Sequence, residues 1–347
     1  MNVKRITEKI AMLVSCVALA FVLMGSAGLG VRSAKAAEKF IFAHAWSTEH
    51  IANATSLEFI EKLKEVSGGQ LEVEFHPGGD LGDHLQQFEQ VLQGSLPMSM
   101  VGLATDFDQR LNVGYLAYIV DNWQSGAKLY GPGGSVFNII DEVLNDLDMK
   151  LLGTIPGGFG SIAIRKGVGK VPTMFPEDSK GIKMRVPTLQ IGVKRFEAWG
   201  FSPVPMPYSE LYTALQLGAI DGRTFGPPQE IWEMRDTIET YILTRDYLDA
   251  LFWVVSKKWW DTRSPDEQKW ITEAADYATR WSWEEGERLE SVDLKRIRDY
   301  GIKVVELSAD ELAQAKKLVF ENEWPWMEKT VGKDLISKIR KAVSAAQ

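Results

Sequence analysis

Apolar residues alternate with polar ones in some segments and recur at helical spacing in others, and the two kinds interleave along the chain. In QLEVEFHPGG, Leu71, Val73 and Phe75 alternate with polar residues, which predicts a strand ended by a Pro-Gly-Gly turn. EKFIFAHAW predicts an earlier strand. Between them, STEHIANATSLEFIEKLKEVSGG sets Leu57, Ile60, Leu63 and Val66 near helical spacing, with Gly68 and Gly69 as the stop. A helix over DHLQQFEQVLQGS and a strand over LPMSMVGLA complete a βαβαβ rhythm, which implies a parallel, doubly wound sheet.

The rhythm returns in the second half. GSIAIRK and KGIKMRVP read as strands, IGVKRFEAWG as a helix, SPVPMP as a strand and YSELYTALQLG as a helix. AIDGRTFGPP reads as a sharp turn and ALFWVVSKKWW as an apolar strand. From Pro265 to about Arg298 there is no further proline and one glycine, Gly286, which predicts one long helix. Ser264 is its expected N-cap, with Pro265 in the first turn and Glu267 closing a capping box. GIKVVEL reads as a late strand, and the remainder as helical.

The N-terminus follows another pattern. Lys4, Arg5 and Lys9 precede a nearly unbroken apolar run, Ile10 to Leu23, and Ala34-Lys35-Ala36 offers a small-residue cleavage site. That is the layout of a secretory signal peptide over residues 1–36, and it places the mature protein in the periplasm. The single cysteine, Cys16, lies in this leader, so the mature chain has no disulfide, thiol nucleophile or thiolate metal site. The formal charge of the whole chain is −8, and the leader contributes +4 (five basic residues, one acidic), which leaves −12 on the 311 mature residues. Nucleic-acid binding is not expected of so acidic a chain, since phosphate contacts need a basic surface. Its length fits two lobes.

Enzymatic motifs are scarce. GVGKVPT lacks the span of a phosphate loop, and no G-x-S-x-G, H-E-x-x-H or G-x-G-x-x-G is present. His44 and His50 read as strand-end or capping residues, and His76 and His84 as surface residues beside a turn. No metal or cofactor is expected. Tryptophans such as Trp281 and Trp283 read as helix packing, but Trp46 ends the first strand, at the carboxyl edge where open α/β sheets bind ligands. Arg185, in KMRVP, also sits at a strand's carboxyl end, between the core-directed Met184 and Val186. It can serve in a surface salt bridge, or present a bidentate fork to a ligand oxyanion.

The run KGIKMRVPTLQIGVKRFEAWGFSPVPMPYSELYTALQLGAIDG resembles the solute-binding proteins of tripartite ATP-independent periplasmic (TRAP) transporters, the DctP family. The K-G-x-K-x-R-V-P strand, the G-x-x-P-x-P-M approach, the E-x-Y-x-A-L-Q helix and the D-G turn occur in the family's order. HPGGDLGD and WWDTRSPDEQ extend the likeness over essentially the whole mature chain. The resemblance implies a two-lobed α/β periplasmic binding protein fold with hinge strands and a long bridging helix. Lobe 1 is expected over 37–162 plus 251–290, lobe 2 over 163–250 plus 318–347, and the bridging helix over 264–299. It further implies closure over a small organic anion and delivery to the membrane permease subunits, by a chain expected to be monomeric.

In that family Arg185 matches the arginine that pairs with the ligand carboxylate, and Tyr208 falls where a ring lies against the ligand. Phe225 stands where many members have asparagine, and Gly160 where many have a second arginine, with Arg165 displaced along the strand. These departures turn the expectation from a C4-dicarboxylate to a ligand with one acidic group, carboxylate or sulfonate, and an apolar or hydroxylated remainder. The expected pocket comprises Arg185, Tyr208 and Phe225, with Trp46, Thr105 of the LATDF loop, and Arg165. The competing readings are a secreted enzyme acting on an acidic small molecule, and a chemosensory binding protein.

Overall fold

The computed structural model describes residues 37–346, so the expected signal peptide lies outside the described residues. Strands β1 (Glu38–His44), β2 (Leu71–His76) and β3 (Met98–Val101) run parallel, with β1 in the middle. Helix α1 (Ile51–Ser67) joins β1 to β2, and α2 (His84–Gln93) joins β2 to β3. Gly68, at φ 61°, ends α1 in the left-handed conformation that glycine adopts without a steric cost. This is the expected βαβαβ unit. Residues 105–148, to which the hydropathy pattern assigns no element, hold a 3-10 turn (Gln109–Tyr115), α3 (Trp123–Tyr130) and α4 (Ser135–Asp146).

Strand β4 (Met149–Arg165) is far longer than GSIAIRK, which is its last third. Its earlier part is hidden in the sequence by Gly153, Pro156, Gly157, Gly158 and Gly160, residues that weaken a strand pattern. The strand absorbs them as irregularities, with register shifts at Leu151/Gly153, Pro156/Gly158 and Gly160/Ile162. Next come β5 (Lys183–Val186), α5 (Gln190–Ala198), β6 (Ser202–Pro205) and α6 (Tyr208–Leu217), as expected. AIDGRTFGPP, read as a turn, contains a five-residue strand instead, β7 (Gly222–Gly226), followed by the short helix α7 (Pro228–Glu233).

ALFWVVSKKWW likewise supplies only the end of a strand, β8 (Ile238–Ser256), while KKWW forms the helical turn α8 (Lys257–Trp260). The charged Arg245, Asp246 and Asp249 mask the first half of β8. Helix α9 (Pro265–Tyr300) has the expected capping box between Ser264 and Glu267. Strand β9 (Lys303–Glu306) and helices α10 (Ala309–Val331) and α11 (Lys333–Ala346) complete the chain.

All nine strands form one sheet, in the order β2-β1-β3-β8-β4-β7-β5-β6, with β9 beside β8. The sheet is mixed, a correction to the wholly parallel expectation. β8 is antiparallel to both β3 and β4, and β4 to β7. The outer strands fall into two groups, β2-β1-β3 and β7-β5-β6, and the long central strands β4 and β8 run through both. Helix α9 packs along α1, α7 and β4, so it also spans both groups. Gly286 permits that approach: a Cβ there would lie 2.7 Å from the Trp123 ring. The C-terminal helices touch both groups too, α10 lying on α5 and α11 on α3 and α4.

One buried arginine ties these parts together. The Arg195 guanidinium (α5) donates to Glu323 (α10) and to Asp246 (β8), each at 2.6 Å, and to the Tyr115 carbonyl at 2.5 Å. Glu323 also accepts from the Ala117 amide at 2.9 Å. Replacing Arg195 by Met strands two carboxylates inside the protein, and breaking a buried ion pair from one side costs about 3–5 kcal/mol. Urea unfolding of Arg195→Met should show a loss of that size. A loss below about 1 kcal/mol, the range of exposed pairs, would contradict this role.

Candidate functional site

Strand β5 is covered on both faces, so Met184, Arg185 and Val186 are all buried. Arg185 is 3% exposed, and its Nε donates to the Met206 carbonyl at 3.0 Å. No carboxylate among the described residues comes within 4.0 Å of its guanidinium. Burial, and next the neighbouring Arg223, push its pKa down to about 9. The surface salt bridge considered for Arg185 is therefore not what the fold builds.

Arg185 borders a cavity of about 210 Å³. Thr105 lines it from the loop after β3, Thr188 from the end of β5, Met206 from the end of β6 and Tyr208 from the start of α6. These are the carboxyl ends of parallel strands, where such sheets place their ligands. Leu85, Leu103 and Leu189 give the cavity apolar walls, and Asp83 and Asp106 add acidic groups. Tyr115 also borders it, with its hydroxyl held by the Leu103 amide at 2.6 Å.

Tyr208 separates this cavity from a wider one of about 660 Å³, bordered by Ser47, Gly79 and Glu233 among others. Across that mouth Ser47 Oγ donates to Glu233 Oε1 at 2.7 Å, and the Tyr208 hydroxyl lies 3.4 Å from Glu233 Oε2. Gln229 of the same short helix α7 accepts from the Ile51 amide at 3.2 Å and donates to the Glu49 carbonyl at 2.5 Å. Burial pushes the Glu233 carboxyl up to about 7, against the Ser47 hydrogen bond that favours its charged form.

Of the expected site residues, Arg185, Tyr208 and Thr105 converge on one cavity. Trp46 lies one layer back, its ring 4.1 Å from that of His84, which does line the cavity. Phe225 is also behind the wall, its ring 4.4 Å from Tyr247 and 6.4 Å from Tyr115. Its φ of 57° is a left-handed conformation that asparagine accepts and a bulky side chain adopts only under constraint. Arg165 is elsewhere. It donates to the Ile220 carbonyl at 3.1 Å and the Lys166 carbonyl at 2.8 Å, and stands 3.8 Å from Asp221, so it braces the turn after α6.

The space at Gly160 is filled: a Cβ there would come within 1.8 Å of the Tyr247 ring. That tyrosine donates to Asp249 Oδ1 at 3.0 Å and to the Phe225 carbonyl at 3.2 Å.

Two further residues escaped the sequence reading. His84, taken as a surface residue, borders both cavities, and burial holds its imidazole down at about 4, so it is neutral near pH 7. Its place directly after the capping residue Asp83 was the available signal. Arg223 was passed over inside a supposed turn. As a strand residue it is the direct partner of Arg185 across β5 and β7, and it pairs with Glu230. His50 does cap α1, accepting from the Ala52 amide at 3.1 Å. Among the described residues no cluster of His, Cys, Asp or Glu could hold a metal ion.

Comparison with known proteins identifies the family and the fold. The family model for bacterial extracellular solute-binding proteins, family 7 (DctP) matches residues 42–325. The C4-dicarboxylate-binding periplasmic protein DctP of Vibrio cholerae is 27% identical over 311 residues, covering 85% of this chain and 88% of that protein. The sugar acid binding protein DctPAm of Advenella mimigardefordensis, in complex with galactonate, superposes with a TM-score of 0.83 at 22% identity, over 90% of this chain and 99% of that one. A TRAP periplasmic solute-binding protein of Ralstonia eutropha with bound (S)-2-acetolactate gives 0.80 at 21% identity, over 88% of this chain and 99% of that one. No helix among the described residues is long and apolar enough to cross a membrane. This chain belongs to the DctP family of extracellular solute-binding proteins, the binding subunits of TRAP transporters.

Proposed function

We propose that this binding protein takes up an organic acid with a single anionic group, a carboxylate or sulfonate, and holds that group on Arg185. The observation that supports it is a buried arginine, with no carboxylate of the described residues within 4.0 Å of its guanidinium, that lines a cavity with apolar walls. A buried cation is stable only when paired and hydrogen-bonded, and a bidentate oxyanion meets both needs. Asp83 and Asp106 beside the cavity disfavour a second negative group. A dry cavity of ~150 Å³ takes benzene, so about 210 Å³ suits an acid somewhat larger than that.

Closure follows the hinge scheme, the ligand favouring the state in which both lobes touch it. We take residues 37–162 with 251–290 as one lobe and 163–250 with 318–347 as the other, with α9 (expected over 264–299) as the bridge. Arg185, Tyr208 and Glu233 then belong to the second lobe, and Thr105, His84 and Ser47 to the first. The chain acts as a monomeric periplasmic carrier that hands the ligand to its TRAP permease and performs no chemistry on it. A cleaved leader over 1–36 accounts for its export.

Replacing Arg185 by Ala should weaken binding of the best monocarboxylate from a thermal-shift screen by about 2–5 kcal/mol. Calorimetry on the mature protein measures this, and affinity within a few-fold of wild type would refute the assignment. The Ser47–Glu233 contact makes a separate prediction. Because the folded carboxyl titrates at about 7 instead of its ordinary 4.5, the stability it contributes is complete below pH 4.5 and is lost as pH rises through 7. The melting temperature of wild type minus that of Glu233→Gln should fall over this window and stay flat above it. Parallel curves would exclude Glu233 as the titrating group.

A further inference from the structure

We propose that Glu230 sets the charge of the ligand: by neutralising Arg223 beside Arg185, it leaves the site one free cation and selects monoanions over dianions. This rests on the reading that Arg185 holds the ligand anion.

Arg185 and Arg223 are direct partners on the neighbouring parallel strands β5 and β7, so their side chains leave the sheet on the same face. Both are buried, at 3% and 1% exposure, where like charges repel far more strongly than in water. Arg223 Nη2 donates to Glu230 Oε2, and to the Phe225 carbonyl at 3.2 Å. Its Nε is buried with no hydrogen-bond partner. Glu230, on α7, is itself 4% exposed. The guanidinium of Arg223 does not line the cavity, but it lies 6.0 Å from the centre of the Tyr208 ring, which does.

The remaining buried acid behind the site is Asp249. Burial and then Glu230 hold its carboxyl up at about 8, so it is protonated at neutral pH. Within the buried group behind the cavity, Arg185 and Arg223 together contribute two positive charges, Glu230 one negative and Asp249 none, which leaves +1 on that group. Asp83 and Asp106 act in the same direction and are untouched by the variants below. Glu230 and Arg223 are thus specificity-determining residues that act through Arg185, without contact to the ligand. A purely structural ion pair would alter stability but not the preference between ligands of different charge.

The test compares matched probes, succinate with succinamate and glutarate with glutaramate, by calorimetry and thermal shift on the mature protein at neutral pH. Wild type should favour the monoamide of each pair. Glu230→Gln should move the ratio toward the diacid by about tenfold or more, and Glu230→Asp should keep the wild-type ratio. Because Glu230→Gln leaves Arg223 unpaired and could prevent folding, Arg223→Met with Glu230→Gln removes both charges together and should also keep the wild-type ratio. Arg223→Met alone, measured at the same pH, should weaken both probes and the diacid more. A wild-type ratio in Glu230→Gln, or in Arg223→Met if Glu230→Gln does not fold, overturns the inference. If wild type binds neither monoamide at millimolar concentration, the reading of Arg185 as the monoanion clamp is what fails.

Discussion

A guanidinium taken out of water must find an anion, and the placement of this protein's buried arginines follows from that constraint. At an effective dielectric near 20, two unit charges 4 Å apart interact by about 4 kcal/mol, enough to decide which side chains can share an interior. Arg195 has two carboxylates and a carbonyl, and it serves as a knot between β8, α5, α10 and the segment after the 3-10 turn. Arg223 has one carboxylate, Glu230. Arg185 has only a carbonyl among the described residues, and it is the one that faces a cavity. The arginines that the protein itself pairs, Arg195 and Arg223, are thus distinguished from Arg185, the one proposed to await a ligand anion.

The strands that connect the two halves also shape the site. Gly160 and Tyr247 face each other where β4 and β8 shift register, and the tyrosine occupies the place a larger side chain at 160 would need. Tyr247 then holds the Phe225 carbonyl and Asp249, and Phe225 backs Tyr115 on the cavity wall. The small residue at 160 is therefore coupled, through Tyr247, to the apolar backing at Phe225. The mouth is bridged from one short helix, α7, whose Gln229 and Glu233 reach the start of α1 and Ser47.

Much of this was legible in the sequence. Apolar spacing located α1 and β2, each of which shows polar residues on its other face, and the long run without proline together with its capping box located α9. The carboxyl-end rule pointed to Arg185, which lines the cavity, and to Trp46, which lies a layer behind it, while the family resemblance supplied Tyr208 and the loop after β3 supplied Thr105. The central strands were not legible, since a strand buried on both faces and interrupted by glycine, proline or charge has no period to read. That gap hid β7 and with it Arg223, whose role depends on register across strands distant in sequence. Arg165 looked available because its brace, the turn at Ile220 and Asp221, is likewise a tertiary contact. His84 shows the same limit: position on a helix does not tell which neighbour covers it.

The account is tested most directly by a crystal structure of the mature protein with the monocarboxylate that raises its melting temperature most. It predicts the ligand's anionic oxygens about 2.7–2.9 Å from the Arg185 terminal nitrogens, with the body of the acid against Leu103, Leu189 and Met206. An anion bound instead at the mouth beside Ser47 and Gly79, with Arg185 turned to a protein carboxylate, would contradict it.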